Sequence, residues 1–448
     1  HITYRLPITK SISRFAGVRM ERPTKRGRFA QAPFSYFDQL SDDLVVRIFQ
    51  SLQFNERIPI RTVCKRWRTL SDDPRIWRTL RLTSPRFLKE IIERFPLLES
   101  LNLSCQPLLQ SEQLRPLNRI KSSLTSLDIS RCEGLTGSVL FLIGHLTNLK
   151  TLVLNRSQKI SALLAPRPQR YQEAFLELSR LFQLETLHME NVHLEIDSLV
   201  SICKGLTRLT SLRFSLDGQH MPMTVCFPAS LTELVISPGS SGKDDHPQVK
   251  QQTPLPIEHL SQLRVLNLKG IIHDSDVSVS YFSRATFTGL YQLNLAIHDA
   301  ADCDFSFFSR LVSLSILRFG CRKDSRPPSN FVKNLMLLRS LDQALFSVPA
   351  DVLIQIESWE PLSRLSKMDI NVAQSGEILQ SISKCPSLTE LNMKLKLNVH
   401  STIKLENFRG LSRLLKLTLT VGPELMHLQS DLNCLLPETK VVVVTENK

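Results

Sequence analysis

Tryptophan is scarce in this chain: its 448 residues include 3 Trp and 5 Tyr beside 22 Phe. Long apolar runs are missing as well. The four valines at 441–444 are a long aliphatic stretch by its standards, and a membrane-spanning helix needs roughly 18 residues. No apolar segment of a secretory signal is visible near the start, so "NLS" at 102–104 and "NRS" at 155–157 read as chance triplets rather than glycosylation sites. The nine cysteines include no Cys-x-x-Cys pair and no Cys/His cluster, which argues against a disulfide framework and against a zinc site. A reducing compartment is expected, cytoplasmic and/or nuclear. Phosphate-cradling GxxxxGK[ST], GxGxxG and HExxH are all absent. His188 and His193 are the close histidine pair within a repeat, and their spacing fits no shared helix face. No catalytic residue, cofactor or metal is expected.

Acid is short at one end. Residues 1–30 hold eight Lys or Arg and a single acid, Glu21, which is half of the net charge of +14. Residues 1–33 therefore read as a basic tail, expected to be disordered. Its "ERPTKRGR" at 21–28 has the composition of a nuclear-import cluster; an Arg-rich, acid-poor start is also that of a transit segment. Past the tail the chain is only mildly basic and has no aromatic-interleaved basic stripe, so nucleic-acid binding is disfavoured despite a pI near 9.5.

What the chain has in quantity is leucine at a fixed spacing. Apolar-x-x-apolar-x-apolar recurs as "LESLNL" from Leu98, "LTSLDI" from Leu124, "LKTLVL" from Leu149, "LETLHM" from Leu184, "LTSLRF" from Leu209 and "LTELVI" from Leu231. It continues as "LRVLNL" from Leu263, "LYQLNL" from Leu290, "LSILRF" from Leu314, "LSKMDI" from Leu365, "LTELNM" from Leu388 and "LLKLTL" from Leu414. "LRSLDQ" from Leu338 fills the gap with two of the three apolar positions. Starts are 22 to 35 residues apart, mostly inside the window of roughly 20–29 of leucine-rich repeats, which the chain resembles from about residue 96 to 437. The last two apolar positions alternate with polar ones and so share one face of a short strand. One such unit cannot bury its leucines alone; stacked units form a continuous core. The fold class is α/β, a small helical module followed by a curved solenoid over 83–437 with a parallel sheet on the concave face, then a strand and tail at 438–448. A Cys follows the third core position once, at Cys132. Two long repeats carry insertions: 167–182 reads as a longer helix, and the Pro/Gly/Ser-rich 237–256 as a mobile loop.

Ahead of the repeats, residues 37–82 read "FDQLSDDLVVRIFQSLQFNERIPIRTVCKRWRTLSDDPRIWRTLRL". Leu40, Leu44, Ile48 and Leu52 fall at i, i+4, with Ser41 placed to cap a helix and Asp42 and Asp43 suited to its positive end. A second helix is expected to carry Val63, Trp67 and Leu70 on one face, with Pro59 limiting its start. "IWRTLRL" repeats the core spacing, so Trp77 marks the seam where the helical module becomes the first repeat and seals the open end of the stack.

"LSDDLVVRIFQSL", "VCKRW" and "IWRTLRL" together resemble the F-box and its linker into leucine-rich repeats. Ser41 stands where that family commonly has proline, and Pro59 is unusual in the second helix. The resemblance implies a substrate-recognition subunit of an SCF-type cullin–RING ubiquitin ligase. The helical module would dock on a Skp-family adaptor and the repeats would capture a protein substrate. Carried over by position, the adaptor-facing residues are Leu40, Leu44, Ile48, Leu52, Val63, Cys64 and Trp67, with Lys65 and Arg66 as flanking charges. Each apolar one has a second use in packing so small a module, and the surplus implies a partner. On the repeats, Arg213, Lys269, Arg318, Lys367, Lys394 and Lys416 flank or follow the last core positions. They are the candidate contacts for an acidic or phosphorylated substrate; a solvated face without preference is the alternative. A repeat scaffold without ligase ties is the competing function.

Overall fold

The computed structural model describes residues 36–445, apart from short internal stretches, chief among them 161–168, 217–223, 239–248, 274–281 and 397–404. The basic tail and its 21–28 cluster lie outside the described residues. So does most of the 237–256 insertion, except that 237–238 finish one strand and Val249–Gln251 form another.

Ser41 opens helix α1 (Asp42–Ser51), its Oγ accepting from the Leu44 amide at 3.4 Å. Where the family prefers proline, this chain has a side-chain cap. The expected second helix is two short ones, α2 (Phe54–Ile60) and α3 (Lys65–Leu70). Pro59 does not start a helix; it sits near the end of α2. Having no N–H to continue the ladder, it is followed by a tight turn in which Thr62 and Val63 donate to the Pro59 and Ile60 carbonyls. Val63 therefore sits on a turn rather than on the helix of Trp67.

The seam behaves as the spacing implies. Trp77 is buried, stacks on Phe95 with ring centroids 4.7 Å apart, and donates from Nε1 to the Ser71 carbonyl at 2.8 Å. Beside it Arg57, only 6% exposed, spends its guanidinium on main-chain carbonyls: Leu52 and Gln50 at 2.7 Å, Thr79 at 3.1 Å, and Ile76. One buried cation thus ties α2 to the first repeat strand.

Strands Thr79–Arg81, Ser100–Asn102, Ser126–Asp128 and their successors pair in parallel, each with the next repeat, to Lys440–Thr445. Among the described residues the sheet has 17 strands. Two of them, Val249–Gln251 and Ile271–His273, pair with each other beside the main ladder. Short α or 3-10 helices such as Ser138–Ile143, Ile196–Gly205 and Leu428–Leu435 return the chain on the other side. Strands are packed more closely than helices can be, so the sheet lies on the inner, concave face. Within each rung the three pattern leucines are buried; Leu98, Leu101 and Leu103 are at most 1% exposed, each worth about 1.5–3 kcal/mol of burial. Cys132 is buried as well, its Sγ 3.3 Å from the Leu103 carbonyl, and burial pushes its thiol up to about 11.

The weak repeat is read three residues too early by its leucines. Leu317 pairs with Ala344 and Phe319 with Phe346, on strand Gln343–Ser347. The unit is "LDQALF" from Leu341, with Ala344 as the middle core residue at 3% exposure. Alanine carries too little apolar surface to register in a leucine pattern, and Leu338 belongs to the preceding turn. The 167–182 insertion is helical as expected, an α-helix over Gln169–Leu176 continued by a 3-10 turn over Glu177–Arg180.

Candidate functional site

Helix α1 divides its apolar residues between two faces. Val45, Val46 and Phe49 are buried in the module, while Leu44 is 47% and Ile48 37% exposed. They stand one turn apart on a single outward face. On the neighbouring turn Val63 is 60% exposed, and Phe37, just ahead of the helix, is exposed too. So small a module leaves four large apolar side chains in water, which makes them its candidate docking residues.

The remaining candidates serve the module itself. Trp67 is half-buried between Phe37 and Phe49, edge-on to both, with centroids 5.3 and 5.2 Å away. Leu40 and Leu52 are partly buried against the core. Cys64 is exposed, and its Sγ accepts from the Trp67 amide at 3.4 Å as the cap of α3. Arg66 is not a peripheral charge. Its guanidinium bridges Asp42 at 2.7 and 2.9 Å and donates to the Phe37 carbonyl at 3.1 Å and to that of Leu40, pinning the segment before α1 against α3. Lys65 is exposed. Two residues escaped the sequence reading. Phe37 precedes the helical period, and Arg57 looks like any surface arginine until the carbonyls converge on it.

On the concave sheet the candidate cations are less available than their spacing suggests. Arg213 Nε donates to Glu233 at 3.0 Å, and the same carboxylate accepts from Ser211 Oγ at 2.6 Å. Lys367 lies 3.6 Å from Glu390, and Lys394 is not without a partner. Arg318 is exposed and Lys416 half-exposed, while Lys269 lies outside the described residues. Nearer the F-box the face is a hydrogen-bonded polar network. Asn102 donates to Asp128 at 2.8 Å, Asn155 to Glu190 at 3.2 Å, and His188 Nε2 lies 2.9 Å from Ser211 Oγ. Burial, then the Arg213 charge, lowers the His188 pKa below its ordinary 6.5.

Fold and site define the class: a small helical docking module carried on a leucine-rich-repeat solenoid. The family model for the F-box domain matches residues 37–79, so the helical module is an F-box domain, followed in this chain by the leucine-patterned solenoid. Among solved structures it is similar to the Rad7 and Elc1 complex in yeast, with 16% identity, a TM-score of 0.44, and 82% of this chain and 92% of that one covered. It is also similar to internalin C2 of Listeria monocytogenes, with 16% identity, a TM-score of 0.30, and 55% and 83% covered. Both likenesses are of fold alone. Among the described residues no helix is long and apolar enough to cross a membrane.

Proposed function

We propose that this protein is the substrate-recognition subunit of an SCF-type cullin–RING ubiquitin ligase, binding a Skp-family adaptor through its F-box and a protein substrate through its repeats. The observation that carries the reading is the outward apolar face of Leu44, Ile48, Val63 and Phe37 within the segment matching the F-box. Cys64 and Lys65 are exposed as well; Leu40, Leu52 and Trp67 are partly buried against the core. Burying that face on an adaptor repays the cost of exposing it. The chain itself does no chemistry in this role. It holds the substrate near the conjugating machinery and so raises the effective concentration of the reacting groups. Such a subunit works in the cytoplasm, the nucleus or both.

Titration of the full chain with a purified Skp-family adaptor tests the proposal. Leu44→Asp with Ile48→Asp should abolish binding while leaving the circular dichroism of the solenoid unchanged. Binding that survives the double variant, or no binding by the wild type, sinks it. The competing reading, a repeat scaffold without ligase ties, is separated by co-purification: a ligase subunit brings a cullin with it, a scaffold does not.

A further inference from the structure

The repeats present a third surface, neither the F-box face nor the concave sheet. Where the chain turns from each outer helix into its strand, the residue after the first apolar position forms a backbone ladder. Lys150 donates to Thr125 at 2.7 Å, Arg264 to Thr232 at 2.7 Å, Tyr291 to Arg264 at 2.8 Å, and the ladder runs unbroken from Arg78 to Lys440. A second row just outside it is stitched likewise, Ser123 to the Pro96 carbonyl at 3.0 Å and Ser340 to that of Val312 at 2.7 Å. These residues therefore make one continuous edge of the solenoid, about 4.8 Å per rung.

That edge is cationic. From five residues before to one after the first apolar position of the thirteen repeats, with the weak one starting at Leu341, it holds fourteen Lys or Arg and six Asp or Glu. The excess is larger than the net charge of the whole chain beyond residue 30. Nearer the F-box some of these cations are matched, Lys150 to Glu185 at 3.3 Å and Arg180 to Glu177 at 2.7 Å. Farther along, Arg264, Arg339, Arg364, Lys384 and Arg413 are exposed with no carboxylate partner among the described residues. Lys121, His145 and Arg180 line a cavity of about 520 Å³ on the same edge.

Cations near helix C-termini offset the helix dipole, but that does not account for the apolar residues among them. Leu97, Phe182, Tyr291, Val312, Leu337 and Leu415 all lie on this edge and all are exposed, Leu415 at 63%. Large exposed apolar side chains are more numerous here than on the F-box face. Arginine mixed with aromatic and aliphatic side chains is the composition of a protein interface. Nucleic acid would use the charges and any stacking aromatics but gain nothing from Val312, Leu337 or Leu415.

We infer that this edge is a docking surface for a protein partner whose matching face is acidic and partly apolar. The inference stands apart from the ligase reading and survives its failure. The test uses the purified full chain and a fluorescent peptide of about 20 residues, the size of one side of a standard interface, built from Glu, Asp, Leu and Phe. A Lys-for-Glu peptide and a single-stranded oligonucleotide of equal charge are the controls. The acidic peptide should bind at low salt. Arg364→Glu, Lys384→Glu and Arg413→Glu together should weaken it about tenfold, and Val312→Ser with Leu415→Ser about threefold. Reversing Arg115 and Lys333, exposed on the outer helices away from this edge, should leave it unchanged. All these side chains are on the surface, and melting temperatures confirm folding; Arg364→Glu alone, at about threefold, serves if the triple variant does not fold. An acidic peptide that does not bind, or binds the edge variants as it binds the wild type, overturns the inference. So does an oligonucleotide that binds more tightly and ignores the serine substitutions.

Discussion

The Arg57 guanidinium donates to the Thr79 carbonyl at 3.1 Å, a bond from the F-box into the first strand of the solenoid. It is one of four carbonyl contacts of a buried cation whose pKa burial lowers. Removing the side chain strands those carbonyls. Arg57→Met should cost about 3–5 kcal/mol, because it leaves several buried carbonyls without a donor, read from urea unfolding followed by Trp fluorescence. Arg57→Lys should recover little, because a single ammonium cannot span four acceptors. Wild-type-like midpoints for both variants would show that Trp77 alone holds the seam.

Helix α1 should separate into two kinds of position. Phe49→Ala, at 1% exposure, should destabilise the module by about 3–5 kcal/mol. Leu44→Ala should change stability by no more than about 0.5 kcal/mol while costing about 2 kcal/mol or more of adaptor affinity. Trp67→Ala should do some of each, since the indole both braces Phe37 and Phe49 and underlies the outward face. Calorimetric binding beside thermal melts distinguishes the two classes; equal stability losses at Leu44 and Phe49 would contradict the division.

His188 supplies a pH dependence. Its folded pKa is lowered, so the unfolded chain takes up the imidazole proton first as pH falls below about 6.5. The neutral imidazole's contribution is thus fully present at pH 7.5 and is lost as pH falls from the ordinary histidine range toward the lowered folded value. His188→Gln should lose less thermal stability than the wild type between pH 7.5 and 5.5. An identical pH profile for the two would mean that the bond to Ser211 holds the ring equally well when charged.

On the concave face, Lys367→Glu, Lys394→Glu and Lys416→Glu should weaken capture of an acidic or phosphorylated substrate, leave adaptor binding intact, and reduce the salt dependence of capture. Arg213→Gln should matter less to capture than to the fold, because Glu233 already occupies its guanidinium. Capture indifferent to both the reversal and salt would leave this face a solvated one.

The seam at Trp77 was legible early, because tryptophan followed by the core spacing has few other uses. The candidate adaptor contacts are named by the sequence as a set of residues but not as a division between outward and inward positions. Leu40, Leu44, Ile48 and Leu52 share an i, i+4 stripe, yet a stripe does not say which side its own module covers. Leu44 and Ile48 face outward because Val45, Val46 and Phe49 take the interior. Val63 is exposed because α2 ends just after Pro59 and the chain turns there.

Leucines at period two inside a longer period can be buried only by stacking repeats, so the solenoid follows from the chain's own pattern. The class of the helical module follows from its motifs as well. What depends on neighbours from other repeats is set by packing between rungs. Ala344 counts as core because Leu317 lies beside it, Arg57 is buried because distant carbonyls meet there, and Arg213 is engaged because Glu233 sits on the next rung. A continuous cationic, apolar-studded edge is likewise invisible along the chain, where its members are some 25 residues apart. Periodicity reports what each residue must do for its own repeat; charge pairing and exposure are set by the rungs on either side.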